Sequence, residues 1–155
     1  MFDLSLKPPA EWKYVGRQEG MIASEKFTLP KVEGDAEDGE LKFYQGSMGD
    51  REANITRWFG QIEQPDGSDS AKVGKRSEFQ AGPLSITFID VSGNYNAPAM
   101  VPGAPAGGKK TGYRLLAAYI EGGKGPWYVK AYGPEKTMAH WRDGFEQMLK
   151  TMVAE

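Results

Sequence analysis

Apolar positions along the chain recur with two different periods, and the places where the period changes mark out its elements. Within residues 21–29, Met21, Ala23, Phe27 and Leu29 share one parity, while Ser24, Lys26 and Thr28 share the other. That alternation predicts a half-buried strand. Glu25 interrupts the inward set, and Pro30 ends it. Leu41-Lys42-Phe43-Tyr44 is a second, shorter alternating strand. The period then lengthens. Ile55, Trp58, Phe59 and Ile62 fall at i, i+3, i+4 and i+7, the apolar stripe of a helix. Asp50 or Ser47 is placed to cap its first turn, and Gln64-Pro65-Asp66-Gly67 is placed to stop it.

Period two returns at Glu78-Phe79-Gln80. After the turn Ala81-Gly82-Pro83, residues 84–91 send Leu84, Ile86, Phe88 and Asp90 one way and Ser85, Thr87, Ile89 and Val91 the other. Residues 92–112 carry three prolines and five glycines, which predicts a long loop without regular structure. Residues 113–121 and 126–132 predict a further hairpin around Gly122-Gly123-Lys124-Gly125. Both strands are apolar on nearly both faces, which puts them in the middle of a sheet. Pro134 and Glu135 then open a C-terminal helix, with Met138, Trp141, Phe145, Met148, Leu149 and Met152 on one stripe. At the other end, residues 1–11 read as an extended lead-in, since Pro8 and Pro9 forbid a helix, with Trp12 and Tyr14 available to pack it down. The expectation is one α+β domain over residues 1–155, an antiparallel β-sheet covered by two helices.

Composition narrows the functional classes. A chain of 155 residues, 39% hydrophobic, is long enough to bury one core. Its net charge of −2 supplies no field that would draw in nucleic acid. The short basic runs Lys72–Lys75–Arg76 and Lys109–Lys110 read as solvated loop charges. The absence of cysteine rules out disulfides, thiolate metal sites and a cysteine nucleophile. No apolar run approaches the ~20 residues of a membrane-spanning segment. The N-terminal residues lack a basic stretch followed by an apolar one, so no signal peptide is read there. The location expected is the periplasm or cell envelope if an export signal has been removed, and otherwise the cytoplasm.

Few motifs carry chemistry. Five carboxylates fall within residues 33–40, but the spacing of a calcium loop is missing, so a solvated hairpin loop is expected. Asn54, Arg57 and Gln61 stand at i, i+3 and i+7 beside Trp58. They form either a polar recognition face, with Arg57 for an anion, or a set of locks onto neighbouring backbone. Tyr95, with Met100 and Val101, gives the long loop apolar groups for docking, unless they are incidental to a surface loop. Asp90, in an otherwise apolar strand pattern, is the carboxylate to examine for a raised pKa, the alternative being a hydrogen-bonded structural acid. His140, the only histidine, lies off the helix stripe and is expected to face solvent. Neither a Gly-x-Ser-x-Gly elbow nor a phosphate-binding Gly/Lys loop is present. No catalytic residue, metal site or cofactor is assigned.

The segment Ala53-Asn54-Ile55-Thr56-Arg57-Trp58-Phe59-Gly60-Gln61 carries a resemblance. With the Gly112-Tyr113-Arg114-Leu115 strand entry and the closing Tyr132-Gly133-Pro134, it resembles a group of uncharacterised exported or lipid-anchored bacterial proteins, often of planctomycete type, over roughly residues 12–153. The resemblance implies a PsbP-like α/β/α sandwich, the fold shared by the photosystem extrinsic protein PsbP and the Ran-binding Mog proteins. It implies an envelope location and no particular activity. The function expected is a non-enzymatic binding or accessory module for an unknown protein or small-molecule ligand. The alternative is a hydrolase-like small-molecule enzyme using carboxylate, Tyr and Arg groups in a cleft.

Overall fold

A computed structural model describes residues 4–19, 23–46, 49–97 and 108–154. The strands are β1 (Leu4–Ser5), β2 (Lys13–Gln18), β3 (Ser24–Leu29), β4 (Gly39–Gln45), β5 (Ile62–Glu63), β6 (Lys75–Ala81), β7 (Leu84–Ala97), β8 (Gly108–Glu121), β9 (Trp127–Pro134) and β10 (Val153–Ala154). The helices are α1 (Arg51–Gly60), α2 (Ser70–Val73) and α3 (Glu135–Lys150). The fold is α+β and its sheet is antiparallel, in the order β2-β3-β4-β9-β8-β7-β5, with β6 also on β7. β1 and β10 form a separate pair that joins the two ends of the described chain.

Strand alternation builds two cores, one on each face. On the first face Phe43, Ile86, Phe88, Leu116, Ala118 and Val129 meet Met138, Trp141, Phe145, Met148 and Leu149 of α3. On the second, Ile89, Val91, Leu115, Ala117, Tyr119 and Tyr128 meet Ile55, Trp58 and Phe59 of α1. β8 and β9 lie in the middle and are buried on both sides, as their unbroken apolar runs predict. Burying one large side chain contributes ~1.5–3 kcal/mol, so the α3 stripe is a principal source of stability. Trp12 packs edge-on against Trp141, with centroids 6.1 Å apart, and seals the lead-in onto α3.

Several expectations need correction. The lead-in passes directly into a strand, β2, whose side chains are mostly exposed, Tyr14 among them, so little apolar alternation announced it. Ile62 shares the buried cluster of α1 but belongs to β5, since the helix ends at Gly60 with Gln61 as its C-cap. A third helix, the single turn α2, is capped by Asp69, whose side chain accepts from the Ala71 N–H. The loop expected over residues 92–112 is strand at both ends: Ser92 pairs with Arg114, and Ala97 with Gly108. Gly93 and Gly112 serve the strands. At Gly93 the backbone of β5 crosses so closely that a Cβ would lie 2.8 Å from the Glu63 carbonyl oxygen. Thr111 and Gly112 bulge against Asn94, with Gly112 at φ +67°. Met21, Ile22, Ser47, Met100 and Val101 lie outside the described residues. Asp50 does cap α1, accepting from Ala53 N–H at 2.7 Å.

Candidate functional site

α1 covers only part of the second face. Beyond it, β3, β4 and β9 and the far ends of β7 and β8 leave a cleft of about 580 Å³. Strand parity decides what lines it. Positions that alternate with core residues of the first face must point into the cleft: Lys42 and Tyr44 on β4, Lys130 and Tyr132 on β9, Tyr95 on β7 and Tyr113 on β8. The register makes them neighbours, with Lys42 opposite Lys130 and Glu40 opposite Tyr132. The β3–β4 hairpin brings Glu37, Asp38 and Glu40 to the rim.

The floor is aromatic. Tyr95 stacks on Tyr132 with centroids 4.6 Å apart and lies nearly parallel to Tyr113 at 6.2 Å. Tyr44 stacks on Tyr128 at 5.0 Å. In this floor sits Lys130, only 7% exposed. Its Nζ donates to the Tyr95 hydroxyl oxygen at 3.0 Å, and among the described residues no carboxylate comes within ion-pair distance of it. Burial, with the neighbouring charges of Lys42 and Arg57, lowers its pKa to about 7. An ammonium so placed is half lost at neutral pH.

The carboxylates are held back at the rim. Glu40 accepts from the Tyr132 hydroxyl at 2.7 Å and pairs with Lys26 at 2.9 Å. Burial opposes its charge, but those two donors outweigh it and leave the carboxyl below its usual range. Glu37 accepts from the Tyr113 hydroxyl and from Lys110, and both lower its pKa. The acidic hairpin is therefore tied down at several points and is not simply solvated. Its Asp35 also accepts from the backbone N–H and hydroxyl of Thr137 at 3.0 and 2.6 Å. The Tyr95 and Tyr132 phenols are pushed up, first by burial. They stay protonated and able to donate.

The candidates read from sequence are scattered over these environments. Tyr95 lines the cleft, from a strand and not from a loop. Arg57 is exposed, and its charge acts on both Tyr44 and Lys130. It is held by Asn54 Oδ1, while Asn54 is fully buried and donates to the carbonyls of Gly49 and Asp50 at 3.2 and 2.7 Å. Asn54 thus locks the start of α1. Trp58 is a core anchor standing edge-on to Tyr128 at 6.4 Å. Gln61 is half-buried at the end of α1, and its Oε1 has no partner among the described residues.

Asp90 lies on the opposite face of the sheet. Arg114 grips both its oxygens at 2.7 Å, and Arg142 of α3 reaches it at 3.2 Å. Glu135 and Glu146 pair with those same guanidinium groups. Asp90 is accordingly a bolt between sheet and helix, remote from the cleft. His140 is exposed, edge-on to Trp141.

Lys130 was missed in the sequence although a signal existed. It alternates with Tyr128 and Tyr132 on a strand predicted to be central, so an amine had to be buried there. Its meeting with Lys42 and Tyr95 was not legible, because β4, β9 and β7 are far apart in the chain. Chemically the cleft offers one buried amine, further cations, phenol donors and flat aromatic faces. Among the described residues no three His, Asp or Glu side chains gather to hold a metal ion, and no helix is long and apolar enough to cross a membrane. No model of a known protein family matches the chain, and no curated protein matches it.

Proposed function

We propose that the chain is a non-enzymatic binding module, and that its ligand is a small planar acid seated in the tyrosine-lined cleft. The observation that carries this reading is Lys130, a lysine more than nine-tenths buried that faces the cleft without a carboxylate partner among the described residues. Burying a charge without a counter-ion is costly, and a ligand carboxylate or phosphate would supply the missing partner. Lys42 and Arg57 add positive charge beside it, and the stacked tyrosines offer flat apolar faces to the rest of the ligand. The helices on opposite faces of an antiparallel sheet also support a PsbP-like α/β/α sandwich, the architecture that the Asn54–Arg57–Gln61 segment suggests.

Calorimetric titration with benzoate and phenyl phosphate, against neutral benzamide, tests the reading. The acids should bind at least about tenfold more tightly than the amide, a difference of about 1.4 kcal/mol. Lys130 titrates near 7, so it is cationic below that value and neutral above it. Benzoate affinity should therefore fall as pH rises from about 6 to about 9. Benzamide binding as tightly as benzoate, or an affinity indifferent to pH, would defeat the anionic ligand.

A further inference from the structure

We propose that the Lys130 amine reacts with a carbonyl group on the bound ligand to form an imine, so that the ligand class is an aldehyde or keto acid. This inference rests on the reading of the cleft as a site for a small acid. Three geometric facts support it. Lys130 lines the cleft, and its amine lies 5.1 and 5.6 Å from the ring centroids of Tyr95 and Tyr132. Nothing among the described residues holds it in an ion pair, so its nitrogen is available. The Tyr95 hydroxyl stands 3.0 Å from it, close enough to exchange a proton.

The groups facing the amine keep it poised. Lys42 from β4 and Arg57 from α1 disfavour its protonated form, and Tyr44, Tyr95, Tyr113 and Tyr132 are neutral phenols. Glu40 and Glu37, the carboxylates at the rim, are engaged by Tyr132 and Lys26 and by Tyr113 and Lys110. Burial and like charge together leave much of the amine unprotonated near neutral pH, the condition under which a lysine becomes nucleophilic.

The chemistry balances without an added oxidant or reductant. The nitrogen lone pair attacks the carbonyl carbon, and the C=O π pair moves to oxygen. A proton passes from nitrogen to that oxygen, giving a carbinolamine. Tyr95 then donates its proton to the departing hydroxyl and recovers one from nitrogen, so that one water leaves as the C=N bond forms. A carboxylate on the same ligand would lie toward Lys42 and Arg57.

The test uses the whole chain, 4-formylbenzoate as probe and cyanoborohydride to fix any imine, near neutral pH. Peptide mapping by mass should find the probe, less one oxygen atom, on Lys130 at least about tenfold faster than on the exposed Lys72 and Lys136. Lys130→Arg keeps the charge and removes the nucleophile. It should abolish the fast labelling. If that variant does not fold, Lys130→Met gives the same labelling comparison. Labelling of Lys130 no faster than of the surface lysines, with benzoate still bound, overturns the imine and leaves the acid-binding reading standing. Benzaldehyde labelling Lys130 as fast as 4-formylbenzoate supports the imine and overturns the anionic ligand. Slow labelling without benzoate binding overturns both.

Discussion

Lys130 lowers the stability of the fold that contains it. In the unfolded chain its amine would titrate near 10.4, whereas in the folded one it titrates at about 7. Between those values the unfolded chain binds a proton that the folded chain has released, so stability rises with pH across the window. Below about 7 both states are protonated and the cost of burying the ammonium is felt in full. Above about pH 10 the trend reverses, because Tyr95 and Tyr132 hold protons in the folded state that the unfolded chain gives up. Lys130→Met should therefore stabilise the protein near pH 6 by about 2 kcal/mol and flatten the rise toward pH 9, as measured by thermal melting. A lower melting temperature for the variant near pH 6 would show that the amine is held by interactions stronger than its burial cost.

At the scale of elements, Asp90 explains how α3 keeps its angle on the sheet. β7 supplies the acid, β8 supplies Arg114 and α3 supplies Arg142, so one carboxylate joins three elements. Asp90→Asn should cost about 3 kcal/mol in a denaturant titration, because two guanidinium groups lose their shared partner in a largely buried setting. The cleft ligand affinity should stay unchanged, since Asp90 lies on the other face. An unaltered denaturation midpoint would show the cluster to be incidental. The pairing of sequence signal with outcome is uneven here for physical reasons. The α3 stripe and the β8 and β9 runs were legible because burial on a regular element leaves a period in the chain. The ends of β7 and β8 were not, because glycine serves a bulge or a close crossing as readily as a loop. The polar exposed β2 carries too little apolar alternation to announce itself.

At the scale of the whole molecule, the candidate site is a consequence of topology more than of any motif. One helix, α1, is too short to cover its face of the sheet, and the uncovered remainder is the cleft. The sequence contains all the lining residues in open view, yet only the strand order places Tyr95, Lys42 and Lys130 together. The edge of the same sheet has its own importance. β2 is an edge strand, and Val15 is an extra residue in its pairing with β3, between Tyr14 opposite Phe27 and Gly16 opposite Lys26. Gly16, at φ +122°, accommodates the irregularity, and Lys13 and Arg17 flank it. A bulged, charged border is a poor template for a foreign strand. Deleting Val15 would close the irregularity without turning any neighbouring side chain to the wrong face, leaving a straight and open ladder. Such a variant should elute from size-exclusion columns as dimers and larger species whose share grows with concentration, while the native chain does not change. One surplus residue at the border is thus a barrier to polymerisation, keeping a sheet of this width from continuing into the next molecule.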